Sequence, residues 1–485
     1  MLGFLDVEQI VPVCFESYSV QYPATLMTPS TQLLKSFDIP GPRYTSYPTA
    51  DRFVEAFAEA EYLQALELRR HSARAHAYPL SVYVHIPFCE SLCYYCACNK
   101  IITGKYERAE QYLQNLQTEV ALLLPHLGTG NVISQLHLGG GTPTFLRDSE
   151  LRALMQTLGN AFQWKPDGEY SVEVDPRTVD TQRLATLREL GFNRLSLGVQ
   201  DFDEQVQVAV HREQSVEQVQ DLMQAARTMR FKSVNLDLIY GLPKQTAQSW
   251  TQTLQSVVQL RPERIALYAY AHLPARFKPQ RHINSSDLPS GEAKTNMLSQ
   301  AIDVLQAEGY VYIGMDHFAL PEDALAIAKR QGRLHRNFQG YTTQPDCDLI
   351  GLGVSSIGNI GATYQQNAKT LDEYQDMLEQ GRLPVVRGVA LSKDDLLRRS
   401  VIMALMCQGR VDFDIINATH LIDFEHYFQD ELQKIHVMQS QGIVSLDDKK
   451  IEVTDMGWFV VRAIAMVFDR YLQSDQQRMR FSKIL

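Results

Sequence analysis

A chain of 485 residues with 45% hydrophobic and 21% charged side chains is too long for one small core and too evenly mixed for disorder; at about 100–200 residues per domain it forms two or three units. Its 46 basic against 56 acidic side chains, a net charge of −10, argue against nucleic acid as the partner but leave room for an anionic small molecule in a local basic pocket. No stretch approaches the roughly 18 uninterrupted apolar residues of a spanning helix, so no membrane contact is expected.

Residues 1–26 show no helical period or turn pattern. With Asp6, Glu8 and Glu16 and no early Lys or Arg, they do not read as a secretory or mitochondrial signal, and the cytoplasm is the expected compartment. Met27 would serve equally well as a start, so 1–30 is read as an extension. Residues 31–75 read as an N-terminal arm: GPRYTSYPTA, at 41–50, is extended by its two prolines, and VEAFAEAEYLQALELRRHS is helix-like.

Over 76–305 a different rhythm begins. The apolar or β-branched runs SVYVHIP, VISQLHL, YSVEVD, NRLSLGVQ, SVNLDLIYG and IALYAYAHL alternate with helices. Asp148 is placed to cap a helix whose Leu151, Leu154, Met155 and Leu158 recur at i, i+3, i+4 and i+7. Ser215 and Gln218 predict a capping box before Val219, Leu222, Met223 and Ala226, and Gly191 closes the helix carrying Leu184 and Leu187. Six such strands imply βαβ units and a parallel sheet, closed or partly closed, with function at the C-terminal strand ends. Polar and glycine residues do stand there: Cys89, Gly139 to Thr142, Glu173 and Asp175, Gln200, Asp237 and His272.

After about residue 300 the alternation fades, and 306–390 is expected to wrap around the site as a connecting segment rich in loops. In 391–485 helix signals return: Ser392 and Asp395 open a helix with Leu397, Val401, Ala404 and Leu405. GIVSLDDKKIEVTDMGWFVVRAIA predicts two strands around a turn and then a helix, the pattern of a small α+β, winged-helix-like domain.

Four of the seven cysteines fall within ten residues, as Cys89-x3-Cys93-x2-Cys96 followed by Cys98, which suits a reducing compartment and a metal site better than a disulfide framework. Structural zinc is the plain alternative, although Cys96 and Cys98 are too close in sequence to ligate one ion comfortably. Three thiolates at these spacings suit three irons of a [4Fe–4S] cluster, with the fourth iron left open to chelate an amino acid's amine and carboxylate.

The C-x3-C-x2-C motif, with Tyr95 directly before the third cysteine, resembles the radical S-adenosylmethionine superfamily. The ordered set GPRYTSYPTA, YVHIPFC, LHLGGGTPT, EVDPR, GVQDF, DLIYGLP, YAHLP, GMDHFA and HRNFQGYTTQ resembles, from about Gly41 onward, its oxygen-independent coproporphyrinogen III oxidase family. Related haem chaperones share the three cysteines but lack the fourth and carry an HNxxYW signature. Here Cys98 is present and HRNFQGY has no Trp, although a small buried cysteine is the structural alternative for Cys98.

The resemblance implies an α/β fold, a partial (βα)6 TIM-like barrel with an N-terminal arm and a smaller C-terminal α+β domain. It implies one [4Fe–4S] cluster on Cys89, Cys93 and Cys96, and two molecules of S-adenosylmethionine. Tyr83, Gly140, Glu173 and Ile357 would hold the cluster-bound molecule; Tyr95, Gly141, Thr142, Gln200, Arg212, Asp237 and Ala271 would hold the second. Cys98 would be required for activity without ligating iron. Taken singly, these residues have ordinary explanations as strand-end caps, ion-pair partners or core aromatics. The implied reaction is radical decarboxylation: a 5′-deoxyadenosyl radical removes a β-hydrogen from a propionate, and two rounds convert coproporphyrinogen III to protoporphyrinogen IX. An external electron donor and acceptor and a monomeric enzyme are expected. The substrate carries four carboxylates, for which Arg43, His335 and Arg336 are candidate cations.

Overall fold

The computed structural model describes residues 29–37, 39–72, 78–344 and 347–474, so the expected extension at the N-terminus lies outside the described residues up to position 28. Its centre is six parallel strands in chain order: β1 (Leu80–Ile86), β2 (Val132–Gly140), β3 (Gln163–Val174), β4 (Arg194–Gln200), β5 (Ser233–Tyr240) and β6 (Arg264–Ala269). They are the six apolar runs. Their neighbours hold register through pairs such as Tyr83 with His137, Val172 with Leu195 and Asp237 with Ala266. β1 is buried along nearly its whole length, as expected of a parallel strand covered on both faces.

Helices connect these strands, and their buried residues are those the period picks out. Leu151, Leu154, Met155 and Leu158 are buried in helix Asp148–Ala161, and Val219, Leu222, Met223 and Ala226 in helix Val216–Thr228. Gly191, at φ +98°, ends helix Thr181–Glu189 in a conformation that an L side chain resists. Two caps differ from expectation. Asp148 is the first helical residue, not a cap; its carboxylate accepts from Thr186 Oγ1 at 2.9 Å and from Arg183, tying two helices together. Ser215 accepts from Gln218 N–H at 3.1 Å, but the Gln218 amide donates to the Pro176 carbonyl, so only half of the box forms.

The segment expected to be loop-rich also carries strands that join the sheet. β7 (Val311–Gly314) and β8 (His317–Ala319) extend the sheet beyond β6 in antiparallel fashion. β9 (Leu349–Leu352) lies parallel to β1 on its other side, followed by antiparallel β10 (Ile357–Ile360), β11 (Thr363–Asn367) and β12 (Val385–Ala390). The result is one twelve-stranded sheet of order β12-β11-β10-β9-β1-β2-β3-β4-β5-β6-β8-β7. Runs of three to six residues broken by glycine are too short for a period-two signal, so their pairing partners are what make them strands.

Beyond the sheet, helix Lys393–Gln408 opens on the expected box. Ser392 Oγ accepts from Asp395 N–H at 3.1 Å, and Asp395 returns the bond to Ser392 N–H at 2.9 Å. A three-stranded antiparallel sheet of Arg410–Asp412, Lys450–Val453 and Val444–Leu446 and helix Val461–Met466 complete an α+β unit. The arm binds this unit back to the rest: the Tyr44 hydroxyl donates to Asp469 at 3.0 Å, and the Arg470 N–H donates to the Tyr47 hydroxyl at 3.3 Å.

Candidate functional site

β1 delivers the chain to the cysteine loop. Immediately after it, Phe88–Cys89 pairs in parallel with Ile101–Ile102, closing residues 90–100 into a loop whose neck is fixed by backbone bonds. The loop is clamped from outside: Tyr94 N–H donates to the Val210 carbonyl at 3.0 Å, and the Tyr94 ring stacks between His211 and His282 at 5.2 and 4.6 Å. Two of the three motif sulfurs meet a hydrogen-bond donor: Thr142 Oγ1 reaches Cys89 Sγ at 3.5 Å, and Arg212 and Arg177 reach Cys93 Sγ at 3.5 and 3.6 Å. The neighbouring Cys98 thiol, helped by Lys100, holds the Cys96 thiol below its usual range despite its burial, while burial pushes Cys89 up to about 11.

A cavity of about 440 Å³ opens beside the loop. Cys89, Cys93, Cys96, Cys98, Tyr95, Gly140, Gly141, Thr142, Glu173, Gln200, Arg212 and Asp237 all line it. The glycines after β2 are dictated by crowding. A Cβ on Gly141 would stand 2.6 Å from the Pro87 carbonyl oxygen, and one on Gly140, at φ +116°, 2.5 Å from the His85 ring. The backbone therefore passes directly under the cysteine loop, with Gly141 N–H donating to the Ile86 carbonyl and Thr142 N–H to that of Phe88, each at 2.8 Å.

Strand ends supply the charges. Glu173, at the end of β3, accepts from Gly140 N–H at 3.1 Å and faces His137 Nε2 at 3.2 Å. Burial works against its charge, but the His137 bond and the glycine N–H outweigh it and hold the carboxyl below its usual range. Its side chain stays 43% accessible, so it can receive hydroxyl or ammonium donors from the cavity. Arg212 is buried against Asp175 at 3.1 Å and the Gly198 carbonyl, while Arg177 pairs with the same Asp175 at 2.7 Å. Burial, reinforced by the Glu173 charge, pushes Asp237 up to about 7 although Asn235 and Ser196 both donate to it.

Three expected residues do not line this cavity. Tyr83 stands behind it, its hydroxyl 3.0 Å from His85 Nδ1 and its ring stacked on His137. Ile357 opens β10 beside Gly351, the register partner of Tyr83. The Ala271 carbonyl is joined to that of Tyr95 through the Gln280 amide, which donates to both at 3.1 Å. Residues that sequence reading did not single out also line the cavity: Lys100, Arg177, Ser196, Gly198 and Tyr268. Asp175 and Arg177 lie in the quoted EVDPR stretch, whose Asp-Pro pair opens the turn that returns Arg177 to Cys93.

Comparison with known proteins matches residues 83–257 to the Radical SAM superfamily and 391–460 to the HemN C-terminal domain. The chain is 48% identical over 93% of its length to 98% of an oxygen-independent coproporphyrinogen III oxidase from Pseudomonas aeruginosa, and 47% identical, with the same coverage of each chain, to that of Escherichia coli. The solved structure of the Escherichia coli coproporphyrinogen III oxidase HemN, a radical SAM enzyme, superposes with a TM-score of 0.87 at 47% identity over 92% of this chain and all of that one. This chain belongs to the oxygen-independent coproporphyrinogen III oxidase family. Family membership accounts for the α/β sheet and the C-terminal unit, and the radical SAM superfamily implies a 4Fe–4S cluster and S-adenosylmethionine as cofactors.

The residues present fit those cofactors of the oxidase family. Three thiols open on one cavity, and donors aimed at the Cys89 and Cys93 sulfurs are of the kind that steadies cluster thiolates. No described helix is long and apolar enough to cross a membrane.

Proposed function

We propose that this chain performs the anaerobic oxidative decarboxylation of two propionates of coproporphyrinogen III to vinyl groups, giving protoporphyrinogen IX for haem synthesis. The observation that carries the reading is that the three motif cysteines and Cys98 open on the same cavity as Glu173, Arg212 and Asp237, in a chain aligned nearly end to end with the oxidase family. When bound, the reduced cluster and S-adenosylmethionine supply a 5′-deoxyadenosyl radical able to remove a β-hydrogen, after which carbon dioxide leaves.

Cys89, Cys93 and Cys96 hold one cluster, and Thr142, Arg177 and Arg212 steady the sulfurs of Cys89 and Cys93 through the contacts described. Gly140 and its neighbours leave backbone room for the cluster-bound S-adenosylmethionine, Glu173 accepts from its ribose or ammonium donors, and Tyr83 and Ile357 complete that side. Tyr95, Gly141, Thr142, Gln200, Arg212, Asp237 and Ala271 take a second molecule; the Arg212 guanidinium offers donors to a carboxylate and Asp237 answers the cation. Cys98, which lines the same cavity, acts in the reaction rather than on iron. An external donor and acceptor exchange the electrons, and the protein works as a cytoplasmic monomer with no nucleic acid or membrane partner. The units are 31–75, 76–305 and 391–485, with 1–30 an extension and 306–390 a connecting segment that closes the site.

Anaerobic reconstitution followed by assay of 5′-deoxyadenosine, carbon dioxide and vinyl product tests this reading. Cys89→Ser, Cys93→Ser and Cys96→Ser are each expected to lose the iron and all three products, and Cys98→Ser to keep the iron and lose the vinyl product. Stoichiometric haem capture by the wild-type chain without vinyl product would replace the enzyme with a haem carrier.

A further inference from the structure

Beside Tyr268, which lines the cavity from β6, a buried guanidinium is left without an anion. Arg43, from the extended arm, lies over the Tyr268 ring at 5.0 Å and reaches Asp316 at 3.7 Å, with 33% of its side chain still accessible. Arg336 donates its Nε–H to the Arg43 carbonyl at 3.3 Å and covers the Tyr341 ring at 4.6 Å. Only 9% of Arg336 is exposed, its Nη1 has no hydrogen-bond partner, and among the described residues no carboxylate pairs with it. Asp316, the acid at this spot, already answers Arg43 and also feels the charges of Arg462 and Arg336. His317 stands edge-on to both Tyr268 and Tyr341, at 5.9 and 5.6 Å, and burial with the Arg336 charge pushes it down to about 3, so it adds no cation of its own. His335, the remaining candidate, precedes Arg336 on strand His335–Asn337 and therefore points to the opposite face.

A buried guanidinium with an unused donor is a costly arrangement unless an anion completes it, and its planar fork matches a carboxylate better than any other common anion of a tetrapyrrole. We infer that Arg43 and Arg336 form a carboxylate subsite beside Tyr268 that holds a propionate of the substrate. The inference rests on the activity proposed above and goes further by naming the groups that recognise the substrate. Arg43 brings the arm up to Tyr268 at the edge of the cavity, so substrate binding there engages a segment some three hundred residues away in sequence from its partner Arg336.

Equilibrium binding to the cluster-loaded protein, followed by fluorescence of coproporphyrin III and of its tetramethyl ester, tests this. The tetra-acid is expected to bind more tightly than the ester. Arg336→Met and Arg43→Ala should each weaken the tetra-acid at least tenfold while leaving the ester and the iron content unchanged, and Arg336→Lys should recover part of the loss. If Arg336→Met fails to load iron, Arg43→Ala, on the partly exposed side of the pair, decides alone. Unchanged affinity of the tetra-acid in an iron-loaded variant would overturn the subsite. A wild-type chain that binds the tetra-acid through these arginines but forms no vinyl product would instead overturn the proposed activity and leave the subsite standing.

Discussion

Glu119 illustrates what a single buried group can do far from the cysteine loop. Its carboxylate is 3% exposed and accepts from Tyr374 Oη at 2.6 Å, Gly353 N–H at 2.7 Å and Asn367 Nδ2 at 2.6 Å, joining the helix beside β1 to the turn after β9 and to β11. Burial outweighs those three donors and raises the group from 4.5 to about 7. Because the folded value lies above the unfolded one, the folded chain keeps a proton that the unfolded chain releases. Stability is therefore fullest below pH 4.5 for this group and falls as pH rises through about 7. Glu119→Gln removes that slope, so the wild-type-minus-variant difference in denaturant midpoint should shrink from pH 5 to pH 7 and level off above it. Glu119→Ala, which strands the donors as well, should cost about 2–4 kcal/mol.

At the scale of elements, the six parallel strands were legible because each is an apolar run long enough to show itself, with polar or glycine residues close to its end or just beyond it. Three cavity-lining residues were legible for the same reason: Glu173, Gln200 and Asp237 stand at or near the last positions of their strands. β7 to β12 were not, since their runs are too short to show a period, and β9 takes its place only through β1, where Leu349 lies beside Ser81. Nor could the sequence show that Tyr83, Ile357 and Ala271 stand back from the cavity while Tyr268 and Arg177 line it, because side-chain reach follows from register and turn geometry. The glycine turn after β2 is where element and chemistry meet. Gly141→Ala places a methyl against a carbonyl that cannot move without moving β1, so about 1–3 kcal/mol of strain is expected, together with a loss of iron per chain on reconstitution. Iron content equal to wild type would show that the loop tolerates the displacement.

Across the whole molecule, the arm and the C-terminal unit close the structure from opposite ends of the chain. Tyr44, fully buried, reaches Asp469; Tyr47 packs against Tyr471 at 5.9 Å; and Arg52 donates to the Tyr471 carbonyl at 3.3 Å. Tyr44→Phe removes one donor from a buried carboxylate that keeps the Tyr471 N–H, so a loss of about 1–3 kcal/mol is expected in denaturant unfolding, with faster proteolytic release of the C-terminal segment. A variant that loses stability but is cleaved no faster would place the effect elsewhere. The seam between β1 and β9 also bears on how the protein is made. At about 5–20 residues per second, β1 and the cysteine loop leave the ribosome tens of seconds before β9 has been synthesised. Throughout that interval one flank of the strand leading to the thiols has no neighbour. A cluster delivered to the nascent chain would therefore meet a strand with one open edge, and one delivered after release a strand paired on both sides.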